Sequence, residues 1–228
     1  MEISLVGIDL AKNDFSLHGV DERGRVVFRK TLKRAGLLPF MMQLKPCRVA
    51  MEACGSSHYW GRKFQALGHK VDIVAAQHVK PFVKSQKNDR NDAEAIAEAA
   101  QRPSMRYVAV KTEWQQRLLS LHRARSLAIK MRIEVSNQTR GLLLEHGVTI
   151  PEGVGKFERA LMSALADEKL PEELQMIASF NYRQFKSLSE EEDFYTKKLT
   201  QLAHQQEECL RLMKVPGVGP MIATAFVS

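Results

Sequence analysis

ISLVGIDLAKNDFSLHGV, residues 3–20, holds two apolar runs separated by a short charged stretch. Ile3, Leu5, Val6 and Ile8 alternate loosely and read as a buried strand over residues 3–9 that closes on one carboxylate, Asp9. Phe15 to Val20 reads as a second strand and Arg25 to Thr31 as a third, joined by the turn Asp21-Glu22-Arg23-Gly24, so the chain opens as a three-strand meander. The pattern then changes. A helix from Ala35 to Leu44 leads into a strand from Cys47 to Met51, and a helix from Ser57 to Leu67 stops at Gly68 before a strand from Val71 to Ala75. Strand-helix-strand spacing of this kind suits parallel crossovers. Hairpin strands followed by crossovers predict an α/β sheet of mixed direction with flanking helices, completed by an Ala- and Glu-rich helix from Asp89 to Ala100.

Beyond residue 112 the sequence becomes helical. Trp114 to His146 has no proline, no glycine before Gly141, and apolar stripes on two faces, so it predicts a long helix covered from two sides. VTIPEGVGK, residues 148–156, reads as a loop, and Pro171 as the start of another helix. Ser189 to Met213 reads as a second long helix. There Tyr195, Leu199, Leu202, Gln206, Cys209 and Met213 alternate spacings of four and three, the seam of a helical hairpin or coiled coil.

Charge separates the two halves. Residues 1–112 carry 19 Lys and Arg against 11 Asp and Glu, while residues 113–228 carry 15 of each, so the whole excess of +8 lies in the first half. A basic surface attracts polyanions and points to nucleic acid. No apolar run approaches the ~20 residues that span a bilayer. The amino terminus has no basic segment ahead of an apolar core, so a cytoplasmic protein without membrane contact is expected. Three cysteines, Cys47, Cys54 and Cys209, an odd number without CxxC or Cys/His spacing, indicate neither a disulfide framework nor a zinc site.

Four acids stand where strands and helices meet. Asp9 ends the first strand, Glu52 ends the fourth, and Asp89 and Asp92 open the helix in KNDRNDAEAIAEA. If the first and fourth strands are neighbours, Asp9 and Glu52 emerge side by side, and a three-residue step places Asp89 and Asp92 on one helix face. Each acid alone reads more simply as a strand end or a helix cap. Together they repel, by roughly 4 kcal/mol for two carboxylates 4 Å apart at an effective dielectric of 20, so a cluster that stays ionised needs a cation. Carboxylate oxygens suit Mg²⁺ or Mn²⁺ rather than zinc, and such ions serve phosphodiester cleavage. Lys12, Lys84, Lys87 and Arg90 flank the acids in sequence and are candidates for holding phosphates.

GIDLAKNDF, VAMEACGSSHYW and HVKPFVKSQKNDRNDAEAIAEAAQRPSMRYVAVKT resemble, in this order, the amino-terminal domain of the DEDD insertion-sequence transposases. The resemblance implies a RuvC-like, ribonuclease H-like domain over residues 1–112, with Asp9, Glu52, Asp89 and Asp92 as the metal-binding catalytic acids. It also implies a helical coiled-coil region over 113–213. Val215-Pro216-Gly217-Val218-Gly219-Pro220 resembles the helix-hairpin-helix that opens the family's carboxy-terminal domain, which makes 214–228 its start and Gly217 and Gly219 candidate phosphate contacts. The implied activity is Mg²⁺-dependent DNA cleavage and joining, guided by a structured RNA encoded by the element, in a homodimer or higher homo-oligomer. No residue here matches the serine nucleophile of the family's carboxy-terminal domain, so the sequence reads as truncated and its own activity as impaired. The alternatives are a RuvC-type structure-selective nuclease and a catalytically silent nucleic-acid-binding or dimerisation remnant. A sugar-kinase-like ATPase would add glycine-rich phosphate loops that are not found here.

Overall fold

In a computed structural model, which describes residues 2–83, 89–166 and 170–228 without the side chains of Asp89 and Arg90, the first apolar run forms β1 (Leu5–Leu10). It pairs antiparallel with β2 (Asp14–Val20), which pairs antiparallel with β3 (Val26–Lys33). Helix α1 (Arg34–Met42) returns the chain to β4 (Arg48–Glu52), which lies parallel to β1. Helix α2 (Ser57–Ala66) crosses to β5 (Lys70–Val74), parallel to β4. The order is β3-β2-β1-β4-β5 with a two-residue β6 (Tyr107–Val108) at the far edge, too short to leave a periodic signal in sequence. Three hairpin strands extended by parallel crossovers in this order make the sheet ribonuclease H-like, as the resemblance implied.

Alternation along the strands sends side chains to two faces. Val6, Ile8, Val49, Met51 and Ile73 pack with Leu37, Met41, Trp60 and Phe64 from α1 and α2. Leu5, Ala50 and Val74 pack on the other face with Ile96, Ala97 and Ala100. These last belong to α4 (Asp89–Ala100), reached through the four-residue α3 (Ala76–Val79) and a 3₁₀ turn at Lys80–Phe82. The carboxy-terminal end of α4 is tied down by Arg48 Nη2 and the Tyr107 hydroxyl, both donating to the Ala100 carbonyl at 3.0 Å. Arg48 is held in turn by the buried Asp72, at 2.7 Å.

The chain divides into two compact units, Met1–Thr112 and Glu113–Ser228. In the second, α5 (Glu113–Leu144) pairs with α7 (Glu172–Ala203). Arg125 reaches Thr196 and Glu192, Arg132 pairs with Glu192, and Asn181 donates to Thr139, so the two helices run antiparallel. The helix expected from Ser189 to Met213 is instead the end of α7, broken at His204–Gln206 and followed by α8 (Glu207–Leu212). Gln206 is extended, at φ −119° and ψ 126°, so the four-three seam continues in sequence across a break in the backbone. Residues 154–156, expected in a loop, open α6 (Val154–Leu165). Gly153, at φ +97°, turns the chain, and Phe157, Leu161 and Ala164 are buried at helical spacing. Phe157 lies 4.5 Å from Phe185 of α7, ring centre to ring centre. Finally α9 (Pro220–Val227) packs Ala223 against Ala203 and Cys209.

No helix among the described residues is long and apolar enough to cross a membrane.

Candidate active site

The parallel register of β1 and β4 ends at Ile8 opposite Met51, so Asp9 and Glu52 occupy the next position on neighbouring strands. Period-two alternation assigns both to the face where Leu5 and Ala50 meet α4. Asp9 is partly buried and lies opposite Ser16 of β2.

Helix α4 approaches this face closely because β1 carries no side chain where the two cross. A Cβ on Gly7 would collide with the Ala93 carbonyl oxygen and lie 2.8 Å from both the amide nitrogen and the Cβ of Ala97. Asp92 immediately precedes Ala93. Its negative charge acts on Glu52, whose carboxyl is held above the ordinary glutamate range first by burial and then by Asp92. Glu94, two residues further on, is anchored by Arg29 of β3 at 3.0 Å.

Three of the four sequence-derived acids thus lie about one corner of the sheet: Asp9 and Glu52 by register, Glu52 and Asp92 by mutual repulsion. Among the described residues no group of three His, Cys, Asp or Glu side chains is gathered closely enough to hold a metal ion. Asp89 opens α4, but its side chain, that of Arg90, and all of Lys84 and Lys87 lie outside the described residues. The donor set fits a hard cation: it offers carboxylate oxygens alone, and two of them already repel.

Lys12 is exposed in the turn between β1 and β2, where its carbonyl accepts a hydrogen bond from Arg34 Nη1 at 3.3 Å. Gly217 takes the left-handed conformation, at φ +86°, between α8 and α9. Gly219 caps α9 in an extended conformation, and both glycines are exposed with open space where a Cβ would stand.

Sequence reasoning passed over Gly7 and His18. The signal for Gly7 was available, since a glycine inside a buried strand marks a close approach of backbone. His18 is buried opposite Gly7 on β2, with Arg29 Nε donating to its Nδ1 at 3.4 Å, and only the strand pairing brings it there.

A probable family 20 transposase of Pseudomonas aeruginosa is 42% identical over 235 residues, which cover 100% of this chain and 68% of the relative. The transposase for insertion sequence element IS1111A of Coxiella burnetii is 40% identical over 224 residues, covering 97% of this chain and 62% of the relative. The chain therefore spans about two thirds of the length of these relatives. RuvC of Thermus thermophilus superposes with a TM-score of 0.36 at 15% identity, covering 46% of this chain and 99% of that one. The family model of the IS110-type DEDD transposases, whose description is "Transposase", matches residues 6–147, more than half of the sequence. The chain belongs to that family.

Proposed function

We propose that this chain carries the carboxylate centre of an insertion-sequence transposase that cleaves and joins DNA strands with Mg²⁺ or Mn²⁺. One observation carries the reading: the parallel register of β1 and β4 leaves Asp9 and Glu52 side by side on the face that α4 covers, with Asp92 in its first turn. Acids brought together in this way suit a hard cation, and burial together with Asp92 raises the pKa of Glu52. Asp9, Glu52 and Asp92 would hold the ion together with Asp89. When bound, the ion would activate an attacking oxygen and stabilise a leaving one in phosphodiester transfer. Lys12, with Lys84, Lys87 and Arg90, would hold the phosphate backbone beside the acids, and Gly217 and Gly219 would let the α8–α9 turn approach a phosphate. The partners are DNA and a structured guide RNA, and the chain acts as a homodimer or higher homo-oligomer. Support for assembly comes from large apolar side chains left exposed on the helical unit, among them Leu127 on α5 and Phe194 on α7.

The test is Mn²⁺ binding and metal-dependent nicking of labelled duplex and branched DNA, with and without structured RNA. Asp9→Ala and Asp92→Asn should each abolish nicking and weaken Mn²⁺ binding. Nucleic-acid affinity measured without metal should hold or rise. Unchanged Mn²⁺ binding in Asp9→Ala would rule the reading out and leave a nucleic-acid-binding protein without chemistry.

A further inference from the structure

The missing side chain of Gly7 has a use beyond packing. Gly7 lies two residues before Asp9 on β1, on the same face, and α4 crosses the strand over it. The contact is backbone to backbone: the Ala93 carbonyl oxygen and the Ala97 amide nitrogen occupy the space a Cβ would need, beside the Ala97 methyl. No rotamer change relieves such a collision, so any side chain at position 7 must lift α4 from the sheet. Among the described residues α4 is held at Glu94 through Arg29 and at the Ala100 carbonyl through Arg48 and Tyr107. A wedge at Gly7 would meet the Ala93 carbonyl first, one residue from Asp92 in the first turn of α4, and would carry Asp92 away from the sheet with it.

We propose that Gly7 is a positioning residue of the carboxylate centre, its lack of a Cβ setting how near the first turn of α4 comes to Asp9 and Glu52. This rests on the proposed metal-binding role of those acids. It predicts a loss of function from a residue that touches no metal, phosphate or nucleophile. Displacing a ligand through its support costs about 10- to 100-fold in metal affinity.

The experiment compares three variants with wild type. Gly7→Ala enlarges the strand side of the contact and Ala97→Ser the helix side. Val6→Ala trims a buried side chain on the opposite face of the same strand and reports destabilisation without a wedge. Mn²⁺ affinity is measured by electron paramagnetic resonance at a temperature where each variant is folded, and the position of α4 by crystallography. The expected result is α4 displaced at its first turn and Mn²⁺ affinity at least about 10-fold weaker in Gly7→Ala, with a smaller loss in Ala97→Ser and none in Val6→Ala. Should Gly7→Ala fail to fold, Ala97→Ser decides on the same two readouts. Equal losses in the wedge variants and Val6→Ala, or an undisplaced α4, would overturn the proposal. Wild-type protein that binds no Mn²⁺ would instead end the metal reading, and the position of α4 alone would then decide the role of Gly7.

Discussion

Asp92, in the first turn of α4, stands near enough to Glu52, at the end of β4, to help raise the glutamate above its ordinary pKa. The folded protein therefore binds the Glu52 proton more tightly than the unfolded chain does. The associated stability is fully present below the unfolded value of about 4.3 and is lost as pH rises through the raised folded value. Ionised Glu52 is thus a cost at neutral pH. Glu52→Gln should raise the metal-free melting temperature at pH 7, with the gain vanishing below about pH 4. Mn²⁺ should stabilise wild type more than Glu52→Gln. Thermal melts at pH 7 and pH 4, with and without Mn²⁺, check this, and equal stability of the two proteins at pH 7 would contradict it.

In the helical unit, Phe157 joins α6 to α7 through Phe185 and is fully buried. Phe157→Ala should cost about 3–5 kcal/mol of that unit's stability in urea unfolding. Circular dichroism should show the helical transition shifted to lower urea. A shift under 1 kcal/mol, roughly the cost of losing a single buried CH₂, would mean that α6 is not held by this contact.

The three cysteines should separate by reactivity. Cys54 is exposed, whereas burial pushes the Cys47 thiol up to about 11 and also raises that of Cys209, with Glu208 adding to the second. Thiolate is the reacting form, so a thiol reagent at pH 8 should label one site quickly in native protein and three in denatured protein. Rapid native labelling of Cys47 would show that the segment leading into β4 opens readily.

If the basic excess of the first unit serves nucleic acid, binding to duplex DNA should weaken with salt. The log-log slope should be roughly −0.9 per phosphate neutralised. Lys12→Ala should reduce its magnitude by about one such step, as fluorescence anisotropy across a salt series would measure. An unchanged slope would place Lys12 outside the interface.

The first unit was more legible in the sequence than the second, for a physical reason. β1, β2 and β4 carry short apolar runs bounded by turns, and the strand order, in which β1 and β4 are parallel neighbours as the reading of the acids supposed, sets Asp9 beside Glu52. Helix periodicity, by contrast, survives a break in the backbone. Gln206, Cys209 and Met213 continue the seam of α7 after its hydrogen bonding has stopped, and nothing in their spacing marks the break. α6 was concealed by Pro151, Gly153 and Gly155, which read as loop, although its buried positions keep helical spacing. The influence of Asp92 on Glu52 and the crossing at Gly7 depend on where α4 lies over the sheet, a long-range placement that local pattern does not encode.

The antiparallel pair α5 and α7 has a metric consequence. Each helix runs 32 residues, about 48 Å at 1.5 Å per residue. Leu143 and Leu174 mark one end, and Trp114, Ala203 and Ala223 the other. That length matches roughly fourteen base pairs of duplex at 3.4 Å each. The pair fixes the spacing of its two ends, so whatever meets one is held about 48 Å from whatever meets the other. Adding seven residues to both helices in step would move the two marks apart by about 10 Å and redraw neither.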